Sequence, residues 1–223
     1  MLHTRIFTFN PLGTNCVVVW QDGSEECIIV DPGMSSPEGC GELTDFIGKE
    51  KLTPGAVLLT HGHFDHIWGM ERLLAVYPGL KIYMHEADKG IMDKMTGGRY
   101  DLGFSFLKHE FPTIGITDGE TLDIAEIQWK VIHTPGHSPG SVCFYDEADN
   151  LLLCGDTLFA GSIGRTDLAG GDYDQLMDSL LHKVMILPGD TDVIPGHGQP
   201  TTIGREAMTN PFLEPFNDPI PED

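Results

Sequence analysis

Basic residues are scarce in this sequence: 13 Lys and Arg stand against 34 Asp and Glu, for a formal net charge of −21. A surface of that sign repels phosphate backbones and anionic headgroups, which argues against nucleic acid and membranes as partners. Cysteine is also sparse. Cys16, Cys27, Cys40, Cys143 and Cys154 are odd in number and form no C-x-x-C pair. That usage suits reduced thiols in a cytoplasm better than a disulfide framework. No window approaches the ~20 apolar residues needed to span a bilayer. The start, MLHTRIFTFNPLGTN, lacks a basic stretch followed by a long apolar core, so no secretory signal is expected. Together these absences predict a cytoplasmic location.

What is present is a chain of 223 residues, long enough to bury a sizeable core. Its 27 Gly and 15 Pro predict a loop-rich globular protein. RIFTF, NCVVVW and CIIVDPG are short β-branched and aromatic runs bounded by turn residues, and they read as strands. AVLLT and KIYMH read as buried strands, and TLDI, IQWKVIHT, SVCFYD, NLLLCGD and TDVIP as strands of the second half. Helices are predicted near 37–50, over 65–77 where Ile67, Met70, Leu73, Leu74 and Tyr77 fall at helical spacing, over 86–95, and over 173–183. Residues 96–120 carry five glycines and three phenylalanines without periodicity, and read as a long loop over a site. The order predicts an α/β sandwich of sheets flanked by helices. A single domain over 1–210 is expected, with a Pro-rich, acidic tail at 211–223 that is extended or partly disordered.

The chemistry-bearing residues recur in one pattern. An apolar strand ends, a small residue follows, and then a His or Asp appears. HGHFDH supplies His61, His63, Asp65 and His66 within six positions. HTPGHSPGS supplies His137, CGDTLF supplies Asp156, and IPGHG supplies His197. Strand ends of one sheet edge can bring such groups together. Five imidazoles, two carboxylates and no thiolate exceed what one ion needs, so two divalent ions sharing Asp156 and a water are expected. Imidazole with carboxylate suits zinc first, with iron or manganese as alternatives. Two ions about 3.5–4 Å apart would acidify the shared water and polarise a substrate carbonyl. A structural, non-catalytic zinc site would be closed and often thiolate-rich, unlike this set.

THGHFDH, HTPGHSPGS, CGDTLF and IPGHG together resemble the motifs of the metallo-β-lactamase superfamily, and within it the type II glyoxalase branch, the hydroxyacylglutathione hydrolases. The resemblance implies a metallo-β-lactamase-like αββα four-layer sandwich with metals at one edge. It places His61, His63 and His137 on a first metal and Asp65, His66 and His197 on a second, with Asp156 bridging. Asp65 and Asp156 are then the catalytic carboxylates. It implies a thioesterase that uses a metal-bridging hydroxide on a small-molecule thioester. Asp31, in VDPG, matches an acidic position that orients a ligand. Arg165, in GSIGRTD, matches a basic residue for an anionic part of the substrate. Only 26 residues follow His197, which leaves no length for the helical domain of the longer glyoxalases. The same motifs also resemble persulfide dioxygenases, in which His61, His137 and Asp156 would hold one iron.

Overall fold

The computed structural model describes residues 1–92 and 111–214. Six strands lie side by side in chain order in the first sheet: β1 (Leu2–Thr8), β2 (Asn15–Gln21), β3 (Glu26–Val30), β4 (Thr53–Leu58), β5 (Lys81–His85) and β6 (Ile114–Ile116). β1 to β3 pair antiparallel, and β3 to β6 parallel. β7 (Thr121–Ile124), β8 (Ile127–His133), β9 (Val142–Asp146) and β10 (Leu151–Gly155) begin the second sheet. A small hairpin of β11 (Leu158–Phe159) and β12 (Ser162–Ile163) follows. β13 (Asp192–Pro195) and β14 (Thr201–Thr202) then complete the sheet in the order β14-β13-β10-β9-β8-β7.

Alternation along each strand builds the layers. Val17, Val19, Ile28, Val30 and Leu58 meet Trp129, Val131, Phe144, Leu151 and Leu153 between the sheets. Their neighbours Val18, Ile29, Val57 and Leu59 point the other way, onto Leu43 and Ile47 of α1 (Pro37–Lys49) and onto Met70 and Leu73. On the far face of the second sheet, Cys143, Tyr145, Leu152 and Val193 pack on Leu176, Leu180 and Ile203. Strands buried on both faces explain the continuous apolar runs, and the result is the αββα sandwich that the motifs implied. Ser36 starts α1 by accepting the Gly39 amide at 3.2 Å, with Pro37 as its first helical residue.

The helix predicted over 65–77 is two: α2 (Phe64–Ile67) and α3 (Met70–Val76). Gly69 lies in the break. Its amide donates to the Pro32 carbonyl at 2.8 Å, and a Cβ there would stand 2.7 Å from both that oxygen and Met34 Cε. The loop after β3 therefore interrupts the helix and lets α2 aim Asp65 and His66 independently of α3. The helix predicted over 173–183 becomes α4 (Tyr173–Ser179) followed by a π-helical turn, Leu180–Val184. A last helix, α5 (Ile203–Thr209), is capped by Thr202.

Part of the predicted 96–120 loop is strand β6, which pairs with Tyr83–His85. Residues 93–110, including Phe104 and Phe106, lie outside the described residues, as does 93–95 of the predicted 86–95 helix. That segment opens with a 3-10 turn, Glu86–Asp88. The tail does not begin extended: Pro211–Leu213 form a 3-10 turn that buries Leu213, and 215–223 lie outside the described residues. Among the described residues no helix is long and apolar enough to cross a membrane.

All five cysteines are free thiols and buried. Burial pushes Cys27 up to about 12 and Cys143 up to about 11, and raises Cys16 and Cys154 strongly as well. A thiol held protonated is a poor nucleophile. Titration with a disulfide reagent should therefore find no reactive thiol in the native protein over minutes, and all five in denaturant. A native thiol reacting at the rate of free cysteine would contradict this packing.

Candidate metal centre

Four strand ends of the two sheets open onto one edge. β4 leads into the turn that carries His61 and His63 and into α2 with Asp65 and His66. β8 leads to His137, β10 to Asp156 and β13 to His197. Backbone hydrogen bonds stitch the sheets together there. The Val142 amide donates to the Thr60 carbonyl at 2.9 Å and the Asn15 amide to the Gly196 carbonyl at 2.7 Å, while within the second sheet Gly196 donates to Gly155 at 2.7 Å.

The seven predicted donors converge. His61, His63 and His137 each offer an atom within 4.8 Å of the others, and so do Asp65, His66 and His197. Asp156 stands between the two groups. Its Oδ1 is 3.5 Å from His66 Nε2, and its Oδ2 is 3.5 Å from both His137 Nε2 and His197 Nε2. His63 Nδ1 and His137 Nε2 approach to 2.8 Å. The His197 side chain is 27% exposed and is the open member; His61, His63, Asp65, His66 and His137 are buried.

Four of the rings are anchored by Nδ1. That of His61 lies 3.0 Å from Thr60 Oγ1, that of His66 is 2.8 Å from Asp31 Oδ2, that of His137 is 2.8 Å from the Arg165 carbonyl, and that of His197 is 3.0 Å from the Leu12 carbonyl. Carbonyl and carboxylate partners require the proton on Nδ1. Thr60 gives its own hydroxyl hydrogen to Asp31 at 2.6 Å, so the same holds for His61. Each Nε2 is thereby turned toward the cluster, where it can offer a lone pair to a cation or, in His66 and His197, hold a second proton against the carboxylates. His61 Nε2, His66 Nε2 and Asp156 Oδ1 are buried with no hydrogen-bond partner. Such orphans cost about 1–3 kcal/mol each, and a cation among them removes the penalty. A nitrogen–oxygen donor set of this kind fits divalent metal.

The electrostatics are divided. Burial opposes a proton on His66, but the carboxylates of Asp65, Asp156 and Asp31 outweigh it and raise the imidazole to about 9. Burial likewise opposes charge on His197, and its hydrogen bonds to Asp156 and Asp65 lift it to about 10. Burial and the neighbouring imidazoles push His63 down to about 4 and His61 well down. Asp65 and Asp156 are both held below the usual carboxylate range: burial works against them, but the surrounding histidines prevail. Positive charge is therefore drawn to this edge.

Asp31 forms a third close group with His61 and His66, and its oxygens are already engaged. Its carboxylate accepts the Thr60 amide at 2.8 Å, the Thr60 hydroxyl and His66 Nδ1. Sequence reasoning missed Thr14, whose hydroxyl donates to Asp65 Oδ2 at 2.7 Å, and Asn10, whose amide donates to the Asp65 carbonyl at 3.1 Å. Their separations of 51 and 55 residues left no local pattern to read. Arg165 lines the cavity beside the cluster, but its guanidinium is 61% exposed and held bidentately by Asp167 at 2.7 Å. His133 lies apart from the cluster, stacked on His85 at 4.1 Å with Nε2 2.9 Å from the Pro139 carbonyl. Cys154 is packed in the core. The cavity, about 600 Å³, has Leu12, Phe64, Phe159, Ile163 and Leu168 as its apolar lining.

A sandwich of this topology, with imidazoles and carboxylates gathered at one strand-end edge, is the frame of a metal-dependent hydrolase. Family comparison agrees: the sequence model of the metallo-β-lactamase superfamily matches residues 9–197, and the chain belongs to that superfamily. The chain is 34% identical over 214 residues to a hydroxyacylglutathione hydrolase of Haemophilus influenzae, covering 95% of this chain and 98% of that one. It is similar in structure to the BLEG-1 B3 metallo-β-lactamase, with a TM-score of 0.86, 36% identity, and coverage of 95% and 99% of the two chains. It is similar also to a protein crystallised in a di-iron-bound form, with a TM-score of 0.83, 37% identity, and coverage of 94% and 100%.

Gly196 gives a test of the geometry. A Cβ there would collide with Asp156 Oδ1 and stand 2.8 Å from His66 Cε1. Gly196→Ala should therefore lower metal affinity at least tenfold, on the scale seen when ligand orientation is disturbed, while the chain stays folded. Equilibrium dialysis against zinc would check it, and wild-type affinity would count against the packing described.

Proposed function

We propose that the chain is a thioester hydrolase of the hydroxyacylglutathione hydrolase type, working with two divalent ions on a small-molecule substrate in the cytoplasm. The observation that carries this reading is Asp156, set between a three-histidine group and an Asp65–His66–His197 group. In it, His61, His63 and His137 hold one ion, Asp65, His66 and His197 the other, and Asp156 both. When bound, the ions supply Lewis acidity for the carbonyl and an acidified water as nucleophile.

The chain's own residues do the rest. Thr14 and Asp31 fix the rotamers of Asp65 and His66. Leu12, Phe159, Ile163 and Leu168 give the substrate an apolar wall beside the cluster. A thiol of pKa about 8.5 departs without a dedicated acid, and among the described residues the cavity lining offers none beyond the cluster. The name of the Haemophilus relative supports a thioester. The di-iron neighbour keeps iron beside zinc as the metal.

Protein purified without added metal and assayed on S-lactoylglutathione tests the proposal. Two equivalents of metal with hydrolysis, reduced at least 100-fold in Asp156→Ala, is the expected result. One equivalent of iron, no hydrolysis and oxygen uptake with glutathione persulfide would replace the hydrolase by a dioxygenase.

Arg165 is assigned to an anionic group of the substrate, which has to compete with Asp167 for the guanidinium. Arg165→Ala should raise KM for an anionic thioester several-fold and leave a neutral one unchanged, whereas Asp167→Ala should lower KM for the anionic substrate. Equal effects on both substrates would remove Arg165 from the binding site.

A further inference from the structure

Asp88 belongs to none of the ligand groups, yet it is completely buried at the end of the 3-10 turn that follows β5. Its Oδ2 accepts the Gly62 amide at 2.8 Å and the Ser138 hydroxyl at 2.7 Å, and its Oδ1 accepts the Gly140 amide at 2.6 Å. Gly62 lies between His61 and His63, and Ser138 follows His137. One carboxylate thus ties together the two turns, 74 residues apart, that carry the three histidines. A buried carboxylate needs donors, and these all come from those turns.

The packing is equally specific. A Cβ on Gly62 would stand 2.9 Å from the Asp88 carbonyl oxygen, and one on Gly140 2.7 Å from the Asp88 amide nitrogen and 2.8 Å from Oδ1. The glycines of HGH and SPG are therefore where Asp88 comes closest. Asp31 has the corresponding place in the other half, bound to Thr60 and His66.

We propose that Asp88 is a positioning residue that sets the separation of His63 and His137 and so tunes metal affinity at the three-histidine subsite alone, with Asp31 governing the His66 side. This rests on the metal-binding part of the proposed function and not on the substrate. A chain that binds metal but hydrolyses no thioester leaves it standing.

The variant is Asp88→Asn. It keeps the shape but replaces one acceptor oxygen by an NH2, which must confront an N–H or hydroxyl donor. Chelator-stripped wild-type and variant proteins would be titrated with cobalt(II) against a chromophoric chelator, with visible spectra and thermal melting recorded in parallel. Expected is one cobalt equivalent bound as in wild type, the other 10–100-fold more weakly with an altered ligand-field spectrum, and a metal-free Tm within a few degrees of wild type. In a His61→Ala background, where the three-histidine subsite has already lost a ligand, Asp88→Asn should cost little further affinity. Ser138→Ala, which removes one donor, should weaken the same equivalent less, by about threefold or more. It serves as the deciding variant if Asp88→Asn does not fold. Wild-type affinity for both equivalents in the folded variant, or both weakened equally in step with a fall in metal-free Tm, would overturn the proposal. Unchanged affinity in Ser138→Ala would do the same.

Discussion

Imidazoles and carboxylates forced together under burial are the constraint on which this structure depends. His61, His63, His66 and His137 are almost wholly shielded from water, and the four rings anchored through Nδ1 each turn Nε2 inward. Left alone, such a cluster would be relieved by rotation of the rings or by entry of water. Rotation is closed to the four anchored rings, because each outer nitrogen is bound to a group fixed in a strand end or turn, and water meets the cluster from the cavity beside it. The stacking of the two sheets, the amide bonds between their edges and the carboxylate of Asp31 all keep the inner nitrogens and oxygens where a cation is favoured.

The frame also separates two tasks. Between and outside the sheets the packing is apolar, with Trp129 and Phe144 fully buried. At the strand ends the interior becomes polar, and several buried polar side chains there are held by partners from distant parts of the chain. Thr14 and Asn10 reach Asp65 from the turn before β2, and Asn15 holds Pro195 and Gly198 through its side chain at 2.9 Å. The first sheet thereby orients ligands borne by the second. The net charge of −21 favours cations overall, and Asp65 and Asp156, held ionised among the histidines, concentrate that preference over a few ångströms.

How much of this was legible depended on range. The strands could be read because runs such as NCVVVW and NLLLCGD carry β-branched or apolar residues between turn residues. The meeting of the four His- and Asp-bearing motifs at one edge could be read because each motif opens shortly after such a run. The break at Gly69 could not, since its cause is a carbonyl 37 positions earlier, at Pro32. The contacts of Asn10, Thr14 and Asp88 join positions 26 to 55 residues apart and leave no periodic trace. Asp167 was closer to hand: it lies two residues after Arg165, and the R-T-D spacing already contained a partner for the guanidinium.

The burial of every cysteine carries a consequence for chemistry in solution. The sandwich is held together without a disulfide, so its stability does not follow the redox poise of its surroundings. A thiol set free at the strand-end edge would also meet no thiolate on the protein: Cys154, two positions from Asp156, is turned into the core and held protonated. A disulfide or electrophile arriving at that edge likewise finds no thiolate to attack it, so the reactive donors there are nitrogen and oxygen alone.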